Sequence, residues 1–162
     1  MAISVGDKIP DVEVKVLGDS GAPESVSTAD VLGSGKVVLF GVPGAFTPGC
    51  TKAHLPSFVK GADQLAGKGV DKVFCVSIND AWVMDAWAES QGAKGKVAML
   101  ADGNGTFADA MGLSFDGSGF GLGKRSLRYA AVIEDGVISK LDVEDSPSSV
   151  SVSACENVLA QL

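Results

Sequence analysis

Short, unbroken apolar runs at residues 36–42, 73–78 and 97–100 set the terms for this chain; they are rich in Val, Ile and Phe and too brief for core helices. A strand with water on one side alternates polar and apolar residues. A strand covered on both sides does not. The runs therefore call for helices on both faces of a sheet, and the rest of the sequence supplies them. Leu55, Phe58, Val59, Ala62, Leu65 and Ala66 follow the spacing of one helical face, stopped by Gly67 and Gly69. Asn79 is placed to cap a second helix carrying Trp82, Val83, Ala86 and Trp87, which ends near Gly92. Residues 106–111, before Gly112, read as a third helix, and Val152, Val158, Leu159 and Leu162 suggest a terminal one.

Val12, Val14 and Val16 alternate with Glu13 and Lys15 in the manner of a half-buried strand, followed by a turn at residues 18–21. Residues 129–133 and 137–143 form a strand pair joined through Glu134-Asp135-Gly136, a good hairpin turn. Strands alternating with helices imply an α/β fold with a mixed β-sheet flanked by helices on both faces. Residues 1–162 form a single domain, with no repeat or linker.

Charge narrows the function classes. Lys plus Arg number 13 against 20 Asp plus Glu, a net −7 with no basic run, so neither nucleic acid nor an anionic membrane is an expected partner. No apolar stretch reaches the ~18 residues of a membrane span. The first ten residues carry neither the charged leader nor the apolar segment of a secretory signal. Three cysteines, an odd number at irregular spacing, do not make a disulfide framework; intracellular thiols are expected. One histidine and three dispersed cysteines offer no metal-ligand spacing, so no metal is expected.

The chemistry gathers at Gly41-Val42-Pro43-Gly44-Ala45-Phe46-Thr47-Pro48-Gly49-Cys50-Thr51-Lys52-Ala53-His54, which leaves a buried strand and enters the long helix. Thr47 is a natural N-cap, and Pro48 suits the first helical position, where a missing N–H costs nothing. Cys50 then falls in the first turn, where unpaired amides and the helix dipole favour an anion and so the reactive thiolate. The Thr47 hydroxyl, three residues back, can donate to that sulfur.

The segment Pro43-x-x-x-Thr47-x-x-Cys50, with His54 and Pro56 following, resembles the signature of the peroxiredoxins, and the fuller Pro-Gly-Ala-Phe-Thr-Pro-x-Cys resembles their type II branch. The likeness extends through Cys75-Val76-Ser77-Ile78-Asn79-Asp80, Ala101-Asp102-Gly103-Asn104-Gly105 and Gly121-Leu122-Gly123-Lys124-Arg125-Ser126-Leu127-Arg128-Tyr129. The resemblance implies a thioredoxin-like fold and thiol-dependent reduction of hydrogen peroxide and organic hydroperoxides, with no cofactor. It implies Cys50 as the peroxidatic cysteine, Thr47 and Arg128 as the groups that orient thiolate and peroxide, and Pro43 as a shield against water. Gly44, Cys50 and Arg128 would bind the substrate. Arg125 is the rival of Arg128 for the arginine role.

Cys75 stands where plant members of this branch carry the cysteine that resolves the sulfenic acid. Cys155, expected near the surface, is the alternative, and direct attack by glutathione or a glutaredoxin the third route. Glutaredoxin with glutathione, or thioredoxin, is the expected electron donor. A weak homodimer formed near the active site, with Phe120 of the Gly-rich loop against a second subunit, also follows from the resemblance, as does a setting in cytosol or chloroplast stroma. Two other readings compete: a Cys–His thiol hydrolase or transferase using Cys50 and His54, and a non-catalytic redox-sensing binding protein.

Overall fold

The computed structural model describes residues 1–162. Its strands are β1 (Glu13–Leu17), β2 (Pro23–Ser27), β3 (Lys36–Gly41), β4 (Lys72–Ser77), β5 (Ala98–Ala101), β6 (Ser114–Asp116), β7 (Lys124–Ser126), β8 (Tyr129–Glu134) and β9 (Val137–Val143). The helices are α1 (Thr28–Leu32), α2 (Leu55–Gly67), α3 (Ala81–Ser90), α4 (Thr106–Met111) and α5 (Cys155–Ala160). Seven strands form one mixed sheet in the order β2-β1-β5-β4-β3-β8-β9, and β6 and β7 form a separate hairpin. The centre, β3-β4-β5, is parallel; the flanks are antiparallel. This is the thioredoxin-like arrangement.

The unbroken apolar runs behave as their composition requires. Along β3, Val38 and Phe40 enter one apolar layer, while Val37 and Leu39 enter the other. The first layer is roofed by α2, α3 and α5 through Leu55, Phe58, Trp87 and Val158; the second is roofed by α1 and α4 through Leu32, Phe107 and Met111. Removing such side chains from water on both faces is the main force holding sheet to helices. All three cysteines lie in the first layer.

Several local expectations change. Asn79 does not cap α3; Asp80 does, its carboxylate accepting from the Val83 amide at 2.8 Å. An N-cap accepts from the N2 or N3 amide, and only the residue just before Ala81 reaches Val83. The polar stretch after β1 contains β2 and α1, which its Gly, Ser and Pro content concealed. The terminal helix is confined to α5. The Asp135-Gly136 turn has φ of 48° and 82°, the left-handed pair that a two-residue hairpin demands. No helix is long and apolar enough to cross a membrane.

Candidate active site

The chain leaves β3 at Gly41, crosses a short loop and enters a helix at Pro48 whose next turn, Cys50–His54, is π-helical before α2 continues it. A π-helical turn is a costly insertion found frequently at functional sites. Phe46, on the loop, has φ 65° and is 55% exposed, a strained conformation for a bulky residue. The loop is tied down through Asn79. The Ala45 amide donates to Asn79 Oδ1 at 3.0 Å, and Ser77 Oγ donates to the same oxygen at 2.7 Å. Asn79, freed from capping, anchors the loop to the end of β4.

Cys50 is fully buried, and two donors converge on its sulfur: Thr47 Oγ1 at 3.0 Å and Arg128 Nη2 at 3.2 Å. The Thr47 hydroxyl also lies 2.6 Å from Gly44 O, and its single proton can serve only one of the two at a time. The Gly44 and Cys50 amides donate to no other group of the chain. Gly49 leaves room beside the site: a Cβ there would sit 3.0 Å from Arg128 Nη2 and crowd the guanidinium.

Arg128 is 2% exposed and fully engaged. Nε donates to Pro147 O at 3.0 Å, Nη1 meets His54 Nδ1 at 3.0 Å, and Nη2 reaches Cys50. Every ion pair of the chain is formed by a lysine, so no carboxylate pairs directly with this guanidinium. A buried, permanently charged arginine without a carboxylate favours an anion in whatever else it touches. The atom it touches that can become one is Cys50 Sγ.

His54 completes the cluster without facing the cysteine. Its ring packs against Phe40 and Phe58, with centroids 4.9 and 5.7 Å away, and Nε2 bonds Ser153 O at 2.9 Å. A carbonyl oxygen only accepts, so Nε2 carries the proton and Nδ1 is the acceptor for Arg128. Burial, and then the charge of Arg128, push His54 down to about 3, which keeps it neutral. With its lone pair spent on Arg128, His54 is no base for Cys50, and the Cys–His pairing does not form.

Arg125 does not approach the sulfur. Nε donates to Leu122 O at 3.0 Å and Nη1 to Pro43 O at 3.2 Å, which pins the Gly-rich loop to the active-site loop. Gly44 makes room for it, since a Cβ there would lie 2.5 Å from Nη1. Pro43 is buried on that wall. The Gly-rich loop is more ordered than its composition suggests, with a 3₁₀ turn at Ser118–Phe120 inside the β6–β7 hairpin, and Phe120 stands 88% exposed.

The other thiols are of a different kind. Cys75, mid-strand in β4, is fully buried, and burial followed by the charge of Cys50 pushes it well above the ordinary thiol range. Cys155 is not at the surface as expected but 1% exposed, packed against Gly61 of α2, and burial pushes it up to about 12. The three cysteines are free.

Comparison with known proteins gives the family. The Redoxin family model matches residues 4–159. Peroxiredoxin-2E, chloroplastic, of Arabidopsis thaliana is 42% identical over 164 residues, covering 99% of this chain and 70% of that protein. The crystal structure of reduced Prx3 in complex with H2O2 from Vibrio vulnificus superposes with a TM-score of 0.91 at 45% identity, over 98% of this chain and 95% of that one. A Burkholderia cenocepacia structure named as a thioredoxin reductase gives a TM-score of 0.95 at 44% identity, over 100% and 99% of the two chains. That name does not transfer, because this chain lacks the C-x-x-C pair of a thioredoxin-type dithiol site. With a buried cysteine held between a threonine hydroxyl and a buried guanidinium, and with these relatives along its whole length, the chain belongs to the redoxin family and, within it, to the peroxiredoxins, which are thiol-dependent peroxidases.

Proposed function

We propose that Cys50 is the peroxidatic cysteine, and that Thr47 and Arg128 orient it and the peroxide. The observation that carries this reading is the pair of donors on Cys50 Sγ, one of them on a guanidinium that no carboxylate pairs with directly. The thiolate attacks one oxygen of ROOH in line with the O–O bond. The S–O bond forms as the O–O bond breaks, giving Cys50 sulfenic acid and RO⁻, which takes a proton to leave as ROH, or as water from hydrogen peroxide. Negative charge moves from sulfur to the departing oxygen, so donors fixed beforehand around both atoms lower the barrier. Arg128 and Thr47 supply two, and the Gly44 and Cys50 amides supply two more. Pro43 walls off water. Since Cys50 is fully covered, peroxide enters by displacing the loop that carries Phe46.

A thiol then attacks the sulfenic acid, releasing water and forming a disulfide, and a second thiol restores Cys50 with release of the oxidised donor. Cys75 shares the apolar layer of Cys50 and is our first choice for an internal resolving thiol. It sits inside a strand, so the π-helical turn at Cys50 must unwind before the sulfurs meet. Cys155 and direct attack by glutathione are the other routes. Glutaredoxin with glutathione, or thioredoxin, closes the cycle in a thiol-reducing compartment, cytosol or chloroplast stroma. Exposed Phe46 and Phe120, on loops that Arg125 holds together, suit a weak homodimer beside the site.

Peroxide-driven oxidation of dithiothreitol tests the reading: wild type turns over and Cys50→Ser does not, whereas an active Cys50→Ser protein contradicts it. Mass spectrometry of the oxidised protein finds a Cys50–Cys75 peptide if Cys75 resolves. A Cys50–Cys155 or Cys50–glutathione adduct alone removes that assignment.

A further inference from the structure

Arg128 and His54 are held from outside by two main-chain carbonyls, Pro147 O and Ser153 O. Both belong to residues 145–154, which have no regular secondary structure between β9 and α5. Irregular backbone does not hold a carbonyl in place unaided. The segment's own turns fix part of it, with the Ser149 amide on Ser146 O at 3.0 Å and Asn157 Nδ2 on Val152 O at 2.7 Å, and one carboxylate gathers its Ser151–Ser153 end. Glu144, 7% exposed, accepts from the Ser151 amide at 2.7 Å and hydroxyl at 3.0 Å, and from the Ser153 amide at 2.8 Å and hydroxyl at 2.6 Å. Its own amide donates to Arg128 O at 2.9 Å, so the residue that folds the strap is fixed to the backbone of the arginine the strap orients.

We propose that Glu144 is a positioning residue for peroxide reduction, folding residues 145–154 into a strap whose carbonyls aim Arg128 and His54 at Cys50. The inference rests on the reading of Cys50 given above. Two features support it beyond contact. The strap passes over the entry turn of the cysteine helix, with Ser148 O 3.8 Å from the space a Gly49 Cβ would occupy. Burial pushes the Glu144 carboxyl up, but the hydrogen bonds from Ser153 and Ser151 outweigh it and hold it below the usual carboxylate range, so it is charged at neutral pH. The carboxylate acts through the strap's amides and hydroxyls and takes none of the guanidinium N–H groups away from sulfur.

The experiment compares wild type, E144Q and the double variant Ser151→Ala/Ser153→Ala by the second-order rate of Cys50 oxidation with hydrogen peroxide, thiolate absorbance and thermal unfolding. Misaiming a group by about 1 Å costs up to a hundredfold, so E144Q is expected to slow the peroxide step about tenfold to a hundredfold, with thiolate absorbance reduced and unfolding still cooperative. Combined with Arg128→Lys, its effect is expected to be far less than additive, because both act through one guanidinium. A folded E144Q within about twofold of wild type, or one fully additive with Arg128→Lys, overturns the proposal. Should E144Q not fold, the serine pair decides: a several-fold loss supports the strap, and a wild-type rate removes it. A wild type that consumes no peroxide contradicts the reading of Cys50 itself, a result distinct from an active wild type with an unimpaired E144Q.

Discussion

Cys50 and Cys155 lie in the same apolar layer, one 0% and the other 1% exposed, and by burial alone they should be equally inert. They differ in what points at the sulfur. Cys50 receives a hydroxyl and a guanidinium; Cys155 Sγ receives no donor and packs on the backbone of α2 at Gly61. Cys75 resembles Cys155, with apolar strand neighbours and no donor. Desolvation disfavours a thiolate wherever it occurs, and only fixed donors reverse that cost. On the proposed reading, reactivity at this helix start comes from Thr47 and Arg128 more than from position on the helix.

If the donors make the difference, removing them should make Cys50 behave like Cys155. Arg128→Gln takes away the larger donor, and losing one donor to a developing charge costs about a hundredfold to a thousandfold, so the rate of sulfenic acid formation should fall by that much. A fall below about tenfold would mean that the helix end, and not the guanidinium, sets Cys50 apart. Thr47→Val, which keeps the shape and deletes the hydroxyl, should slow the same step about tenfold to a hundredfold, as expected of one hydrogen bond to a charged group. An unchanged rate would assign the Thr47 proton to Gly44 O throughout the reaction.

The smallest effect concerns stability. His54 is held down to about 3 in the fold, while a free imidazole titrates near ~6.5. Below that value the unfolded chain takes up a proton that the folded chain refuses. Stability is therefore lost as pH falls from about 6.5 towards 3, by up to about 1.4 kcal/mol per pH unit from this group. Melting temperatures between about pH 7 and 5 should fall in wild type and fall less in His54→Gln. Equal slopes would show that His54 does not stay neutral.

The sequence made one half of the site legible and hid the other. Thr47, Pro48 and Cys50 are close in the chain, and helix-start chemistry places them together, although the Thr47 hydroxyl turns to Gly44 O and Cys50 Sγ and does not cap an amide as expected. The continuous apolar runs likewise disclosed a sheet covered on both faces. Arg128 lies 78 residues from Cys50, and only a family resemblance singled it out from Arg125. His54 sits 74 residues from Arg128, and its i, i+4 spacing from Cys50 gave no sign of that partner. Pro147 and Ser153 act through carbonyls, which no side-chain pattern reports. The exchange of Asn79 and Asp80 shows the limit at closest range, since two adjacent side chains could each cap α3 and only the path of the active-site loop decides which is needed elsewhere.

The central claim is that Cys50 Sγ is the anion that balances a buried Arg128. Ultraviolet thiolate absorbance at neutral pH, measured on reduced wild type, Cys50→Ser and Arg128→Gln, tests it most directly. The account predicts a thiolate signal in wild type that is absent from Cys50→Ser and strongly diminished in Arg128→Gln. An identical spectrum in all three would contradict it.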